Sequence, residues 1–536
     1  MSISLEKIVN NFIDINDFEY DRKFSRVARL HKYWSRKPWF IVGEYVRKYS
    51  NNGEKILDPF CGSGIIGLEA ILSGRYFTGY DLNPFATFLA ENLLDTNYDE
   101  NSVNHDLILL KKEVSQKIMN LYRVGDGKYI LYTIMGHKNT QNHNAVISDE
   151  LFKNKTKTIL EEKILNPRIR FPKDLKFPDK AFPRKFYKDR FSYKGVSKVS
   201  DMFTKRNLFS LALLNDAIQR SKLINKDLFM LAFTNTLLHV SKLKAENVRP
   251  LSVNNFWIPD DFIEENVWWR FLDRLKNVRL AKEVVAERNK KSNSSGVGRH
   301  KIYNKSSLRM KEVKNKSVDY LITDPPYGDT IQYSELSYIW NCWLEKDFKI
   351  KDEVIINPVQ KKGFSEYQNQ LKLFIAEAKR VLKKDGYFTL AFQNKDLNIW
   401  IAVAELIRDS EMTLEDISSY STFGSPYNKS WSKFSPKSDF YVTFQNTEKK
   451  IDLKNNGVYP EEIARDIVGY LGDNNGALFN LNKAYDLFVA VVLSKIFEGY
   501  TIYACEKLNI KKVISLFQQI IKSNYGNIQK RLFQNI

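Results

Sequence analysis

The chain is poor in cysteine: Cys61, Cys342 and Cys505 are the only three in 536 residues. So widely spaced, they offer neither a disulfide framework nor the paired thiolates of a zinc site. Long apolar runs are missing too. The longest candidate, 487–493, falls well short of the roughly 18 residues that cross a bilayer. The opening MSISLEKIVNNF carries an early acidic residue and no apolar signal region. These absences set the expectation of a cytoplasmic protein with no membrane partner. Gly-Lys-Ser/Thr does not occur, which makes ATP a poor candidate.

Acidic residues are in deficit, 63 against 83 Lys and Arg, for a net charge of +20. Such an excess points to a polyanionic partner. Its distribution supports that reading over a mere compositional habit. Residues 151–200 hold 15 Lys/Arg and 5 Asp/Glu, a net +10 and half of the whole excess. Hydrophobic and charged contents of 43% and 27% are those of a globular chain. Its length suits two to four domains with a large core.

Residues 54–98 alternate strand, turn, helix, strand, helix. KILD is a short buried strand, PFCGSG a turn, IIGLEAILSG a helix, YFTGYD a second strand and PFATFLAENLL a second helix. This is a βαβ pattern, and it implies a parallel sheet. The pattern stops near Asp99 and resumes near Lys301. It continues there with strands VDYLITD, GYFTLAF and DFYVTFQ between helical stretches. One α/β domain is therefore expected to be split by a mixed insertion of about two hundred residues. The expected division is 1–99, an inserted unit at 100–300, 301–447, and a helical extension at 448–536. No chemistry is legible in that extension.

Gly62, Ser63 and Gly64 stand between the first strand and its helix. Glycines there let the backbone approach a ligand, and a helix start offers free N–H donors. Asp81 ends the second strand, where a carboxylate accepts from ribose hydroxyls; it also suits a helix N-cap. The SVDYLITDPPYGDT strand ends in Asp324, Pro325, Pro326 and Tyr327. Two prolines stop a strand because they donate no ladder hydrogen bond.

DPFCGSG, then GYDLNP, then DPPY resembles the amino-methylating DNA methyltransferases, the N6-adenine and N4-cytosine family. The upstream HKYWSRKP (31–38) is similar to the segment before the glycine loop in one bacterial branch. The resemblance covers residues 20–99 and 301–445. It implies a Rossmann-like methyltransferase fold with a seven-stranded, mostly parallel sheet, and S-adenosyl-L-methionine as cofactor. It implies that Phe60, Gly62 and Gly64, with Cys61 and Ser63, surround the cofactor. Asp81, with Leu82 and Asn83, would hold the ribose. Asp58 and the 31–38 segment, including His31, Lys37 and Pro38, would flank the amino-acid end.

Methylating an exocyclic base nitrogen requires freeing a lone pair delocalised into the ring. A carboxylate and a carbonyl that accept from the NH₂ do this, and Asp324 with the Pro325 carbonyl match the need. Tyr327 would stack on a base swung out of double-stranded DNA. No Pro-Cys stands in the chain for carbon-5 attack on cytosine, and no His-x-Glu with Pro-Cys-x-x-Cys for deamination. Within the family an opening aspartate leans towards adenine N6 and a serine towards cytosine N4. A DNA-binding subunit with a vestigial methylase fold is the rival from another class. A restriction–modification setting, with a partner nuclease, follows by association with the family.

Cofactor motifs first and the catalytic motif second resembles the arrangement with the target-recognition region in the middle. The strand near HKIYNKSSLRM follows the interruption, so the break falls after the second strand. Within the insertion, 166–195 carries ten Lys/Arg, seven aromatics and prolines at 167, 172, 178 and 183. Prolines so frequent exclude a regular helix, and basic residues interleaved with aromatics suit phosphate contacts with base or sugar packing. The expected DNA contacts are Arg168, Arg170, Lys173, Arg184, Lys185 and Arg190, with Lys205 and Arg206 at the next helix start. The bland reading is a basic loop whose phenylalanines anchor it to the core.

Overall fold

The computed structural model describes residues 3–125, 127–136, 142–165, 168–183, 186, 195–246, 248–251, 256–292, 298–421, 438–473, 481–503 and 508–525. Its strands are β1 (Phe12–Ile13), β2 (Lys55–Asp58), β3 (Tyr76–Tyr80), β4 (Arg123–Gly125), β5 (Lys128–Gly136), β6 (Asn142–Ser148), β7 (Lys155–Glu161) and β8 (Asp261–Glu265). Then follow β9 (His300–Tyr303), β10 (Val318–Thr323), β11 (Leu382–Phe392), β12 (Thr413–Ser421), β13 (Ser438–Gln445), β14 (Gly457–Val458) and β15 (Thr501–Ile502).

The main sheet runs β1-β12-β13-β11-β10-β2-β3-β9. The chain is thus α/β with a mixed sheet: β13 is antiparallel to β11 and β12, and the other pairings are parallel. Three successive residues of β2 are buried, as expected of a central strand covered on both faces. The sheet has eight strands where seven were expected. The eighth is the two-residue β1, which pairs with β12 at Ser419 and Tyr420. It is fastened by Asn11, whose amide donates to Asp416 Oδ1 and to the Ile417 carbonyl, each at 3.0 Å. An edge of unpaired backbone groups is closed in this way.

The expectation for HKIYNKSSLRM is met at β9, which pairs with β3 from Phe77↔His300 to Tyr80↔Tyr303. The chain therefore leaves the sheet after β3 and returns beside it. Between those points lie a second, antiparallel sheet of β4 to β8 and the helices Lys205–Arg220, Lys226–Leu237 and Val267–Ser292. The inserted residues are not a separate globule. One apolar core includes Ile41, Leu89 and Leu93 of the first half together with Phe229 and Phe271 of the insertion. Arg288 on the long inserted helix forks onto the buried Glu69 at 2.5 and 2.7 Å.

The C-terminal helices Pro460–Asp473, Leu481–Phe497 and Ile510–Tyr525 share a second core. Leu487, Phe488 and Val513 pack there with Ile417 and Phe444 of the sheet. Among the described residues no helix is long and apolar enough to cross a membrane.

Candidate active site

Three strands that neighbour one another in the sheet end in acids: β2 at Asp58, β3 before Asp81 and β10 before Asp324. Ligand sites of open α/β sheets lie beyond such carboxyl ends. Here a cleft of about 830 Å³ opens, lined by residues 33–37, 58–63 and 81–83, by Ser306 and Ser307, and by Asp324 and Pro326. Tyr333, Phe348, Asp352, Glu353 and Val354 close its other wall.

The glycine loop is shaped by two left-handed residues, Gly62 at φ +49° and Gly64 at φ +84°. A Cβ on Gly62 would come within 3.0 Å of the Tyr33 ring, and one on Gly64 within 3.0 Å of the Ala90 backbone. Only glycine suits both the dihedral and the space. Asp81 accepts from Gly62 N at 2.9 Å and from Asn83 N at 2.8 Å. Each of its oxygens keeps a lone pair for a further donor. Asp58 ties β2 to β10, accepting from Thr323 Oγ1 at 2.6 Å and from Phe60 N at 3.1 Å.

At the catalytic end Lys37 stands among acids. Its Nζ lies 3.4 Å from Asp324 Oδ2 and 3.5 Å from Asp439 Oδ1. It also donates to the Tyr327 hydroxyl, which in turn donates to Asp324 Oδ1. The Tyr327 ring is buried, edge-on to Phe392 at 5.3 Å, with the Lys37 ammonium 5.1 Å from its centroid. The Pro326 carbonyl accepts from Tyr367 at 2.9 Å, which fixes the backbone of the motif.

Burial pushes four of the cleft's carboxyls upward: Asp58 to about 8, Asp324 and Glu353 to about 7, and Asp81 to about 6. Lys37 opposes the rise at Asp324. Burial works against the Lys37 ammonium as well, but Asp324 and Asp439 outweigh it and raise its pKa. An acid-rich cleft of this kind favours a cationic occupant.

Of the residues singled out from sequence, Lys37, Asp58, Phe60, Cys61, Gly62, Ser63, Asp81, Leu82, Asn83, Asp324 and Pro326 line the cleft. Gly64, Pro325 and Tyr327 are not in its lining. Pro38 faces a neighbouring apolar cavity instead. His31 is also elsewhere: its buried ring packs on Phe85 and Trp340 at 4.9 and 5.3 Å. Burial lowers its pKa to about 3, so it is a neutral packing residue. Sequence reading missed Arg36, Tyr333, Glu353 and Asp439. Arg36 was legible as part of the 31–38 segment, and its Nε donates to Ser63 at 3.2 Å. Asp439 had a faint signal, a charge opening an apolar strand.

The expected DNA contacts divide. Arg168, Arg170, Lys173 and Lys205 are exposed on the insertion. Arg206 is a correction: it is buried and forks onto Glu264, with Nη2 at 2.8 Å from Oε2 and at 2.6 Å from the Leu165 carbonyl. A guanidinium buried and engaged in this way is out of reach of a phosphate outside. Arg184, Lys185 and Arg190 lie outside the described residues. The arm's described phenylalanines do anchor it, Phe171 to Phe209 at 5.1 Å and Phe182 to Tyr338 at 5.4 Å.

A glycine-loop α/β sheet with an acid-ended cleft defines the class of nucleotide-cofactor-binding α/β proteins. A family model, that of the N6/N4 DNA methylases, matches residues 6–92 and 318–514. That is more than half of the chain, and the chain belongs to this DNA methylase family. The match breaks off and resumes on either side of the insertion. The chain is 29% identical over 173 residues to the Type II methyltransferase M.MvaI of Kocuria varians, a stretch covering 30% of this chain and 35% of that protein. It thus spans about a third of that relative's length. Among solved structures it resembles a SAM-dependent methyltransferase from Methanosarcina mazei, at 10% identity and a TM-score of 0.24, covering 75% of this chain and 96% of that one. The rRNA methyltransferase aviRa of Streptomyces viridochromogenes also matches, at 10% identity and a TM-score of 0.28, covering 80% and 95%.

The cofactor is S-adenosyl-L-methionine, and the cleft fits it. The molecule carries a sulfonium, an ammonium, a carboxylate and a ribose diol. The cleft offers carboxyls for the cations, Arg36 and Lys37 as cations of its own, and Asp81 with open lone pairs for the diol.

Proposed function

We propose that this chain transfers a methyl group from S-adenosyl-L-methionine to N6 of an adenine swung out of duplex DNA. The observation that carries the reading is the Asp324 carboxylate at the end of β10, opening into the same cleft as Asp81. Adenine is chosen over cytosine because an aspartate opens the motif.

Asp81 holds the ribose hydroxyls, and the glycine loop gives the backbone room beside them. Residues 33–37 and Asp58 flank the amino-acid end. When bound, the cofactor supplies a methyl group on positively charged sulfur. Asp324 and the Pro325 carbonyl accept from the two N–H groups of the adenine amine, which frees its lone pair for the methyl carbon. As the N–C bond forms and the S–C bond breaks, Asp324 is placed to take the proton that the nitrogen gives up. Lys37 and Tyr327 hold the carboxylate ready. Tyr327 stacks on the flipped base, an interaction of about 1–3 kcal/mol.

The insertion reads as the DNA-binding region, with Arg168, Arg170, Lys173 and Lys205 meeting phosphates. The test of the reading is transfer of a tritiated methyl group to unmethylated duplex DNA. Incorporation by the wild type and none by Asp324→Ala supports it. Tight DNA binding without any incorporation overturns it in favour of a silent DNA-binding subunit.

A further inference from the structure

A second cavity, open to solvent, has a lining that carries Lys32, Arg249, Arg274, His31 and His239 and no carboxylate. It is walled by residues of the first half and by the inserted helices, with Asn235 and Asn277 adding polar side chains. Nothing in the methyl-transfer reading uses it.

Only part of the charge there is compensated. Arg274 is paired with Asp273, and Arg270 with Glu265 and Asp273. Lys244 shares Glu265. Among the described residues Lys32 and Arg249 make no ion pair. Burial, with Arg249 adding to it, lowers Lys32 to about 8. His239 is pressed down by burial and then by Arg274, Arg270 and Lys244. Lys32, half-buried with Arg249 beside it, is retained at a cost unless an anion joins it.

The wall is also built in a fixed shape. Lys32 Nζ donates to the Pro250 carbonyl at 3.1 Å and to the Leu251 carbonyl at 2.6 Å. Leu251 is held at φ +54°, the left-handed region that leucine rarely adopts. Lys32 thereby pins the backbone segment next to Arg249.

We propose that this cavity binds a phosphate group, held by Lys32, Arg249 and Arg274. Resting on the DNA methyltransferase reading, the phosphate belongs to the substrate duplex. Lys32 lines this cavity while its neighbour Tyr33 lines the cofactor cleft. The two linings thus meet at consecutive residues, and a strand whose nucleotide enters the cleft would have its backbone close by. The site would anchor that backbone while the base is out of the stack.

Duplex binding is measured across a salt series, and inorganic phosphate is titrated calorimetrically, on the full-length wild type, Arg249→Gln and Lys32→Met. Cofactor binding by each variant serves as the check of folding. Arg249→Gln is decisive because its side chain is exposed, whereas loss of Lys32 also frees a backbone segment. The expected result is a salt slope shallower by about 0.9 for the lost contact, several-fold weaker DNA binding at low salt, and loss of phosphate heat. Phosphate heat lost with the DNA slope unchanged overturns the duplex as the source and assigns a free phosphorylated molecule. Both unchanged in a variant that binds cofactor normally overturns the site itself. A variant slope that falls while the wild type transfers no methyl group leaves the site standing and sinks the methyl-transfer reading.

Discussion

Lys37 Nζ lies 3.4 Å from Asp324 Oδ2, although the two residues come from opposite sides of a two-hundred-residue insertion. The ammonium also faces Asp439 at 3.5 Å, so one cation is shared between two acids. Buried ion pairs contribute little net stability, but they fix geometry and charge state. Here the charge state is that of the proposed acceptor.

The first prediction concerns pH. Burial raises Asp324 to about 7, and the amine needs the carboxylate as acceptor. Single-turnover methyl transfer at saturating cofactor is expected to rise with pH and level off above about 7. A rate that is flat from pH 5.5 to 8.5 contradicts this role.

Removing the counter-charge moves that profile. Lys37→Met takes a cation from within 4 Å of Asp324, and losses of this kind shift a carboxyl upward by about one to three units. The rising limb is expected to move to higher pH by that amount, with partial return in Lys37→Arg. A variant that loses rate equally at every pH shows Lys37 to be structural only.

Stability gives a third test. Burial holds Asp58 at about 8 in the folded chain, far above the unfolded value near 3.9. The folded state therefore keeps a proton that the unfolded state has lost. Stability contributed in this way is full below about 4 and is lost as pH rises through 8. In melting curves without cofactor, Asp58→Asn is expected to flatten the decline, because the amide keeps an oxygen for Thr323 and Phe60. An unchanged decline locates the effect at the other raised carboxyls.

Arg206 separates packing from DNA contact. Arg206→Ala leaves Glu264 buried without its partner, a loss of about 3–5 kcal/mol for a buried pair. The salt slope of DNA binding is expected to stay the same in the protein that remains folded, while Arg168→Gln makes it shallower by about 0.9. The reverse pattern contradicts the placement of Arg206 in the core.

The parts legible in the sequence were local ones. Gly62, Gly64 and Asp81 belong to one strand–turn–helix–strand unit, whose spacing alone sets their neighbourhood. Asp324 followed from two prolines at a strand end. Partners brought from afar were not legible. Asp439 reaches Lys37 only because β13 inserts antiparallel beside β11, and Glu264 claims Arg206 only through the inserted sheet. The same competition explains the Arg206 misreading, since a basic pair at a helix start looks identical whether it faces solvent or a buried acid. The strands β4 to β8 were missed because their pairing, more than their composition, makes them strands.

The central claim is tested most directly by digesting duplex DNA after incubation with the chain and S-adenosyl-L-methionine, then identifying the nucleosides by mass spectrometry. The account predicts N6-methyldeoxyadenosine from the wild type and none from Asp324→Ala. N4-methyldeoxycytidine would contradict the assignment of the base, and no methylated nucleoside at all would contradict the account.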